Sequence, residues 1–242
     1  MDAIAIRYEL DFGPRVETFE FSLDNQSFVL ANPAPATRPH WAELEFKQCS
    51  HCPLQASEHS HCPLALHMVD VVDRLDDTRS IDEVTLRVVT EERTTIQTTQ
   101  LQQALSSMLS LVAATCGCPK GEKLRPLARF HLPLATEEES AYQASGMFLL
   151  AQFLLQSNGH GGKFDFTELG KIYEELHVVY RAIANRIQFA TESDSFKNAI
   201  ALQDMHATLI PLLLDDQLDE IRGLFNAYLP KDAPMTEKSG NN

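Results

Sequence analysis

Apolar and polar residues alternate over residues 3–10 and again over 16–23, with the breaker pair Gly13-Pro14 between the two runs. Successive strand side chains point to opposite faces, so this pattern predicts an N-terminal β-hairpin with one buried face. The proline-rich stretch 31–39 (ANPAPATRP) predicts an extended linker, and residues 41–46 a further strand leading into a cysteine-bearing loop. From Cys62 onward the period changes. Ala65, Met68, Val69, Val72 and Leu75 fall three and four apart, the mark of one helix face. Pro63 suits the first helical position, where its missing N–H costs nothing, and that makes Cys62 the cap. Residues 83–89 alternate again, as a half-buried strand that the charged segment 90–93 ends.

Helical spacing dominates the rest of the chain. Thr99 and Gln102 have the separation of a capping box ahead of Leu101, Ala104, Leu105, Met108, Leu111 and Val112. Gly117 is a natural left-handed end for that helix, which places Cys116 in its last turn and Cys118 just beyond. Thr136 and Glu139 repeat the capping spacing before Ala144, Met147, Ala151 and Leu154, and residues 158–162 (NGHGG) close the helix. Asp165 caps a run with Leu169, Ile172, Leu176, Val179, Ile183 and Ile187 on one face, and further helices follow to about Tyr228. Residues 231–242 are polar and read as a frayed tail. No internal repeat is visible. Strands early and helices late predict an α+β fold: a β-hairpin or small antiparallel sheet with a mainly helical C-terminal bundle. The expected division is an α+β metal-binding region over 1–135, with a helical bundle over 136–230 packed on it or merged into one domain.

Composition narrows the partners. Lys plus Arg number 20 against 34 Asp plus Glu, a net charge of -14 with no basic stripe. Nucleic-acid affinity rests on cationic neutralisation of phosphates, and anionic membranes ask for the same, so neither is expected as a partner. The first residues, MDAIAIRYELDF, carry acid and arginine where a signal peptide needs a basic flank and an unbroken apolar stretch. The greasiest stretch, residues 147–155, is far shorter than the ~20 residues of a bilayer span. A cytoplasmic protein is the resulting expectation.

All five cysteines lie in two places, Cys49, Cys52 and Cys62 in one stretch and Cys116 and Cys118 in another. In a reducing compartment such clustering points to metal rather than disulfides. Cys49-Ser-His-Cys52 has the C-x2-C spacing by which one tight turn offers two sulfurs to one ion, and Cys62 can fold back as a third ligand. Cys118, in the loop past a helix end, is the first choice for the fourth, and Cys116 the second. His51, His59 and His61 crowd the same stretch as possible replacements for a sulfur, although histidines in a polar loop are more often solvated. Buried small hydrophobes or free thiols are the plain alternative for the cysteines. Four thiolates leave no open position for water, so zinc, the commonest tenant of such a set, would be structural. Pro53, Pro63 and Pro119 each follow a cysteine, as in iron–sulfur loops, which keeps an iron–sulfur cluster as the alternative cofactor.

A separate catalytic centre has weaker signals. Arg129, His131 and the run Glu137 to Glu139 lie close after the last cysteine, with His131 as a candidate base or ligand and Glu138 to orient it. Glutamates also favour a helix N-terminus by dipole, and a histidine between Phe130 and Leu132 is readily packed. No phosphate-binding glycine loop, nucleophile elbow or H-E-x-x-H is present. The reading leans away from an enzyme, with a metal-dependent one using His131 as a further alternative.

Gln48-Cys49-x2-Cys52-Pro53-Leu54, His61-Cys62-Pro63, Leu101-Gln102, Gly117-Cys118-Pro119, Arg129-Phe130-His131-Leu132-Pro133 and Asp194-x3-Asn198-Ala199 together resemble a family of bacterial proteins carried as a domain of unknown function. The resemblance covers nearly the whole chain and implies no activity. It implies serine in the family where Cys116 stands here, which favours Cys118 as the fourth ligand. The sequence therefore predicts a cytoplasmic metal-binding protein with a structural four-cysteine zinc site, acting on an unknown protein partner as an interaction or regulatory module through its acidic helical part. An iron–sulfur protein for electron transfer or redox sensing is the alternative.

Overall fold

The computed structural model describes residues 3–216 and 222–229. Its α+β architecture begins with the expected hairpin, β1 (Ile4–Asp11) and β2 (Val16–Leu23), in continuous register from Ile4 opposite Leu23 to Asp11 opposite Val16. Gly13 at φ +89° and its amide, which donates to Asp11 Oδ1 at 2.8 Å, make the turn. β3 (Glu83–Val89) adds antiparallel to the other edge of β1, and β4 (Thr94–Gln100) adds to β3, giving the order β2-β1-β3-β4.

Ile6, Tyr8, Leu10, Phe19, Phe21, Leu23, Val84, Leu86 and Val88 are buried on one side of this sheet, as period-two alternation requires. Against that side lie α1 (Pro63–Arg74) and α2 (Leu101–Thr115), and beyond them α5 (Thr167–Ile187) and α6 (Asp194–Asp216) pack on each other and α6 on α2. The short α3 (Arg125–Arg129) and the long α4 (Glu137–Ser157) complete the helical part. One hydrophobic cluster runs without a break from Ile6 in the sheet to Ile210 in α6.

Several local expectations hold. Pro63 starts α1 with Cys62 as its cap, Gly117 at φ +89° follows the end of α2, and Thr136 and Glu139 form a complete capping box on α4. Asp165 accepts from the Thr167 amide at 3.0 Å, one residue ahead of the cap position it was expected to fill.

Two expectations are corrected. Thr99 does not cap α2, because residues 94–100 are β4 and the strand runs directly into the helix with Gln100 as cap. Ile96 is the single large apolar residue of that strand, so no alternation announced it. Residues 41–46 are not a strand: a 3-10 turn spans His40–Ala42, and only an isolated bridge joins Glu43 to His61. The carbonyls of Trp41, Glu43 and Leu44, which a strand would offer to a neighbour, accept hydrogen bonds from Arg186 of α5 instead. The tail expected over 231–242 lies outside the described residues.

Candidate metal centre

Three segments carry the cysteines. Cys49 and Cys52 occupy one tight turn, closed by the Cys52 amide donating to the Cys49 carbonyl at 3.1 Å. Cys62 is held at the head of α1, where its own amide donates to Ala42 at 2.9 Å. Cys118 opens a second tight turn after α2, closed by the Gly121 amide donating to the Cys118 carbonyl at 3.1 Å. Gly121 cannot be replaced cheaply, since a Cβ there would lie 1.9 Å from the Ala113 carbonyl oxygen. That close approach fixes the second turn against the end of α2.

These segments meet. Cys49 has its pKa pushed up to about 12, first by burial and then by the neighbouring charges of Cys62, Cys118 and Cys52. Cys118 is raised by burial and then by Cys62 and Cys52, so its sulfur senses all three early cysteines. Cys116 is fully buried at the end of α2, raised well above the usual thiol value by burial, and senses Cys118 and Cys62. Its sulfur lies 3.9 Å from the Ala113 carbonyl, an intrahelical contact suited to a weak S–H donor. All five are free thiols. Among the described residues no three His, Cys, Asp or Glu side chains already stand at the spacing a bound ion imposes. Mutual electrostatic influence says that the thiols are neighbours, and a χ1 turn moves a sulfur by ~3 Å, enough to close or open a coordination sphere.

Backbone amides favour the thiolate at Cys62 and Cys118, and at Cys116 those of Cys118 and Cys116 itself do so. Those of Leu64 and Ala65, at the positive end of α1, lower the pKa of Cys62 against its burial, although no cap hydrogen bond is closed. The amides of Lys120 and Gly121 do the same for Cys118. Pro119 cannot donate, so the second turn moves its donors two and three residues past the cysteine.

Arg186 is the residue that the sequence reading missed. It is 1 % exposed and its guanidinium donates to Trp41 at 2.9 Å, Glu43 at 2.6 Å and Leu44 at 2.9 Å, while Nε has no hydrogen-bond partner among the described residues. No carboxylate pairs with it among the described residues. Burial pulls its pKa down, and the charges that hold it up are those of Cys62, Cys49 and Cys52. A basic residue on the otherwise apolar face of a predicted helix was the available signal.

Of the histidines, His51 Nε2 lies 3.0 Å from the Glu175 carbonyl of α5, and Nδ1 is buried without a partner. His59 is exposed, and His61 Nδ1 pairs with Ser60 Oγ at 2.7 Å. The residues proposed for catalysis are not gathered. Arg129 pairs with Glu92 at 3.0 Å, Glu138 is exposed in the first turn of α4, and His131 is hydrogen-bonded to Tyr8. Burial lowers the pKa of His131 to about 4.

The structure thus defines an α+β protein in which a loop and a helix start hold Cys49, Cys52 and Cys62 beside the buried Arg186, with Cys118 near these cysteines at a helix end. Residues 4–226 match the family described as Domain of unknown function (DUF6901), and the chain belongs to that family. Neither a curated protein nor a solved structure matches it. No helix among the described residues is long and apolar enough to cross a membrane.

Proposed function

We propose that Cys49, Cys52, Cys62 and Cys118 bind one zinc ion in a structural site, and that the protein is a cytoplasmic interaction or regulatory module. The buried charge of Arg186 carries this reading. A guanidinium removed from water needs a counter-charge, and the anions within its reach are the thiolates of Cys49, Cys52 and Cys62. As neutral thiols they would leave that charge supported by carbonyl dipoles alone. Four thiolates around a divalent zinc carry a net charge of about −2, which Arg186 offsets in part. Its unpaired Nε also leaves one donor for a sulfur.

Zinc in such a site ties the loop after the N-terminal sheet to the end of α2, and its binding energy becomes folding energy. An interaction role is supported by α4, where Leu150, Phe153 and Leu154 are each more than half exposed on a helix without a charged residue between Glu139 and its end. That face is apolar rather than acidic, and apolar patches of this kind mark protein contacts.

The test is elemental analysis and an absorption spectrum of the full chain purified without oxygen. One zinc per chain in a colourless solution is the expected result, and a chain free of metal under these conditions would overturn it. The prolines after Cys52, Cys62 and Cys118 favour a second reading, an iron–sulfur protein for electron transfer or redox sensing. A brown solution containing iron and sulfide would establish that instead.

A further inference from the structure

A cavity lies in the helical part, and none of the five cysteines lines it. α2, α3, α5, α6 and the first turns of α4 enclose a cavity of ≈360 Å³ that opens beside the exposed edge strand β4. That is the volume of about a dozen waters at ~30 Å³ each, and it falls within the range of small-molecule pockets. Its apolar wall includes Leu111, Leu127, Leu176 and Ile210.

Apart from Glu137 at the rim, the polar wall is neutral among the described residues. Ser107 and His131 line it and are joined through Tyr8 behind them, Ser107 Oγ lying 3.1 Å from Tyr8 Oη and Tyr8 in turn bonded to His131 Nε2. Gln203 donates to the Ser106 hydroxyl at 2.8 Å and carbonyl at 2.9 Å, which fixes its side-chain amide at the wall. Tyr173 and Tyr180 line the same space, are 9 % and 3 % exposed, and their hydroxyls have no hydrogen-bond partner among the described residues. Among the described residues no Lys or Arg lines the cavity, and the one charged residue that does is Glu137, exposed at the rim. Burial also lowers the pKa of both His131 and His206, so neither ring supplies positive charge at neutral pH.

We propose that this cavity is a binding site for a small neutral heterocycle, its ring held between the leucines and the two tyrosines and its polar edge hydrogen-bonded by Tyr173, Tyr180 and Gln203. An anion would enter without a cation to meet it, at a cost that no group on the wall offsets. A neutral ring bearing both donors and acceptors satisfies the idle hydroxyls.

Matched pairs distinguish charge from shape: uracil against orotate, and nicotinamide against nicotinate, followed by ligand-observed NMR on the full-chain protein at about 1 mM probe. At least one neutral probe is expected to bind, and at least tenfold more tightly than its anionic partner. Tyr180→Phe, which keeps the ring, should weaken that binding three- to tenfold, and Ser110→Leu, which fills the cavity from α2, should abolish it. Circular dichroism and melting confirm that each variant is folded, and if Ser110→Leu is not, Tyr180→Phe decides. The proposal is overturned if no neutral probe binds, if the anions bind equally well, or if the folded variants bind as the parent does.

Discussion

Cys116 and Cys118 are two positions apart and chemically identical, yet their surroundings assign them different parts. Cys116 is sealed at the end of α2 against the Ala113 carbonyl and senses Cys62 alone of the early cysteines, while Cys118 senses Cys49, Cys52 and Cys62. Cys118→Ser is therefore expected to lose zinc, and Cys116→Ser to keep about one ion per chain, as elemental analysis will report. Arg186→Met removes the counter-charge and strands the carbonyls of Trp41, Glu43 and Leu44. Unmet buried acceptors cost roughly 1–3 kcal/mol each, so the apo form should lose several kcal/mol in denaturant titration, and competition with a chelator should show weaker zinc binding. His131 gives a pH signature whose sign follows from its lowered pKa of about 4. The unfolded ring, near 6.5, takes up a proton that the folded one refuses, so this contribution to stability is complete above about pH 6.5 and is lost as pH falls toward 4. Its ceiling is about 3 kcal/mol, discounted toward 2 because the ring is only partly buried. Replacing His131 with Gln should flatten the melting temperature over that window, and an unchanged profile would refute the assignment.

At the scale of elements, the capping signals were legible because they are local. Thr136 and Glu139 need only each other, and Pro63 and Gly117 act through their own backbone angles. β4 was not legible. A threonine- and glutamine-rich edge strand has little to bury, and β3 rather than its own pattern recruits it. The misread stretch 41–46 has strand-like composition but spends its carbonyls on a residue more than 140 positions away. The turn holding Cys118 depends on a glycine pressed against α2, so Gly121→Ala should displace it. Both melting temperature and zinc content are then expected to fall, and a variant that retained both would show that the turn is not fixed by this contact.

For the whole molecule, the unbroken core from sheet to α6 would make the fold, with zinc at the proposed site, less dependent on metal than a small zinc finger is. Removing zinc with a chelator should lower the melting temperature while leaving most of the helical circular dichroism intact. In a domain of this size each kcal/mol lost corresponds to about 2–4 °C. Because Cys49 has its pKa raised to about 12 and Cys118 is also raised, a zinc ion binding at the proposed site would displace thiol protons at neutral pH. Apparent affinity should fall with pH by about tenfold per unit for every proton displaced, measurable by competition at several pH values.

The sequence by itself determined what depends on near neighbours: the alternation of the hairpin, the apolar faces of the helices, their caps, and a C-x2-C turn whose ligand chemistry follows from residue type. Tertiary structure decided what depends on distant ones. It brought Cys118 near enough to the early cysteines for their charges to influence one another, put the buried charge of Arg186 beside three of them, turned residues 41–46 away from strand pairing, and opened a cavity between helices. The physical reason is range: backbone preference and side-chain periodicity act over a few residues, whereas desolvation, counter-charge and packing voids exist only after remote segments have met.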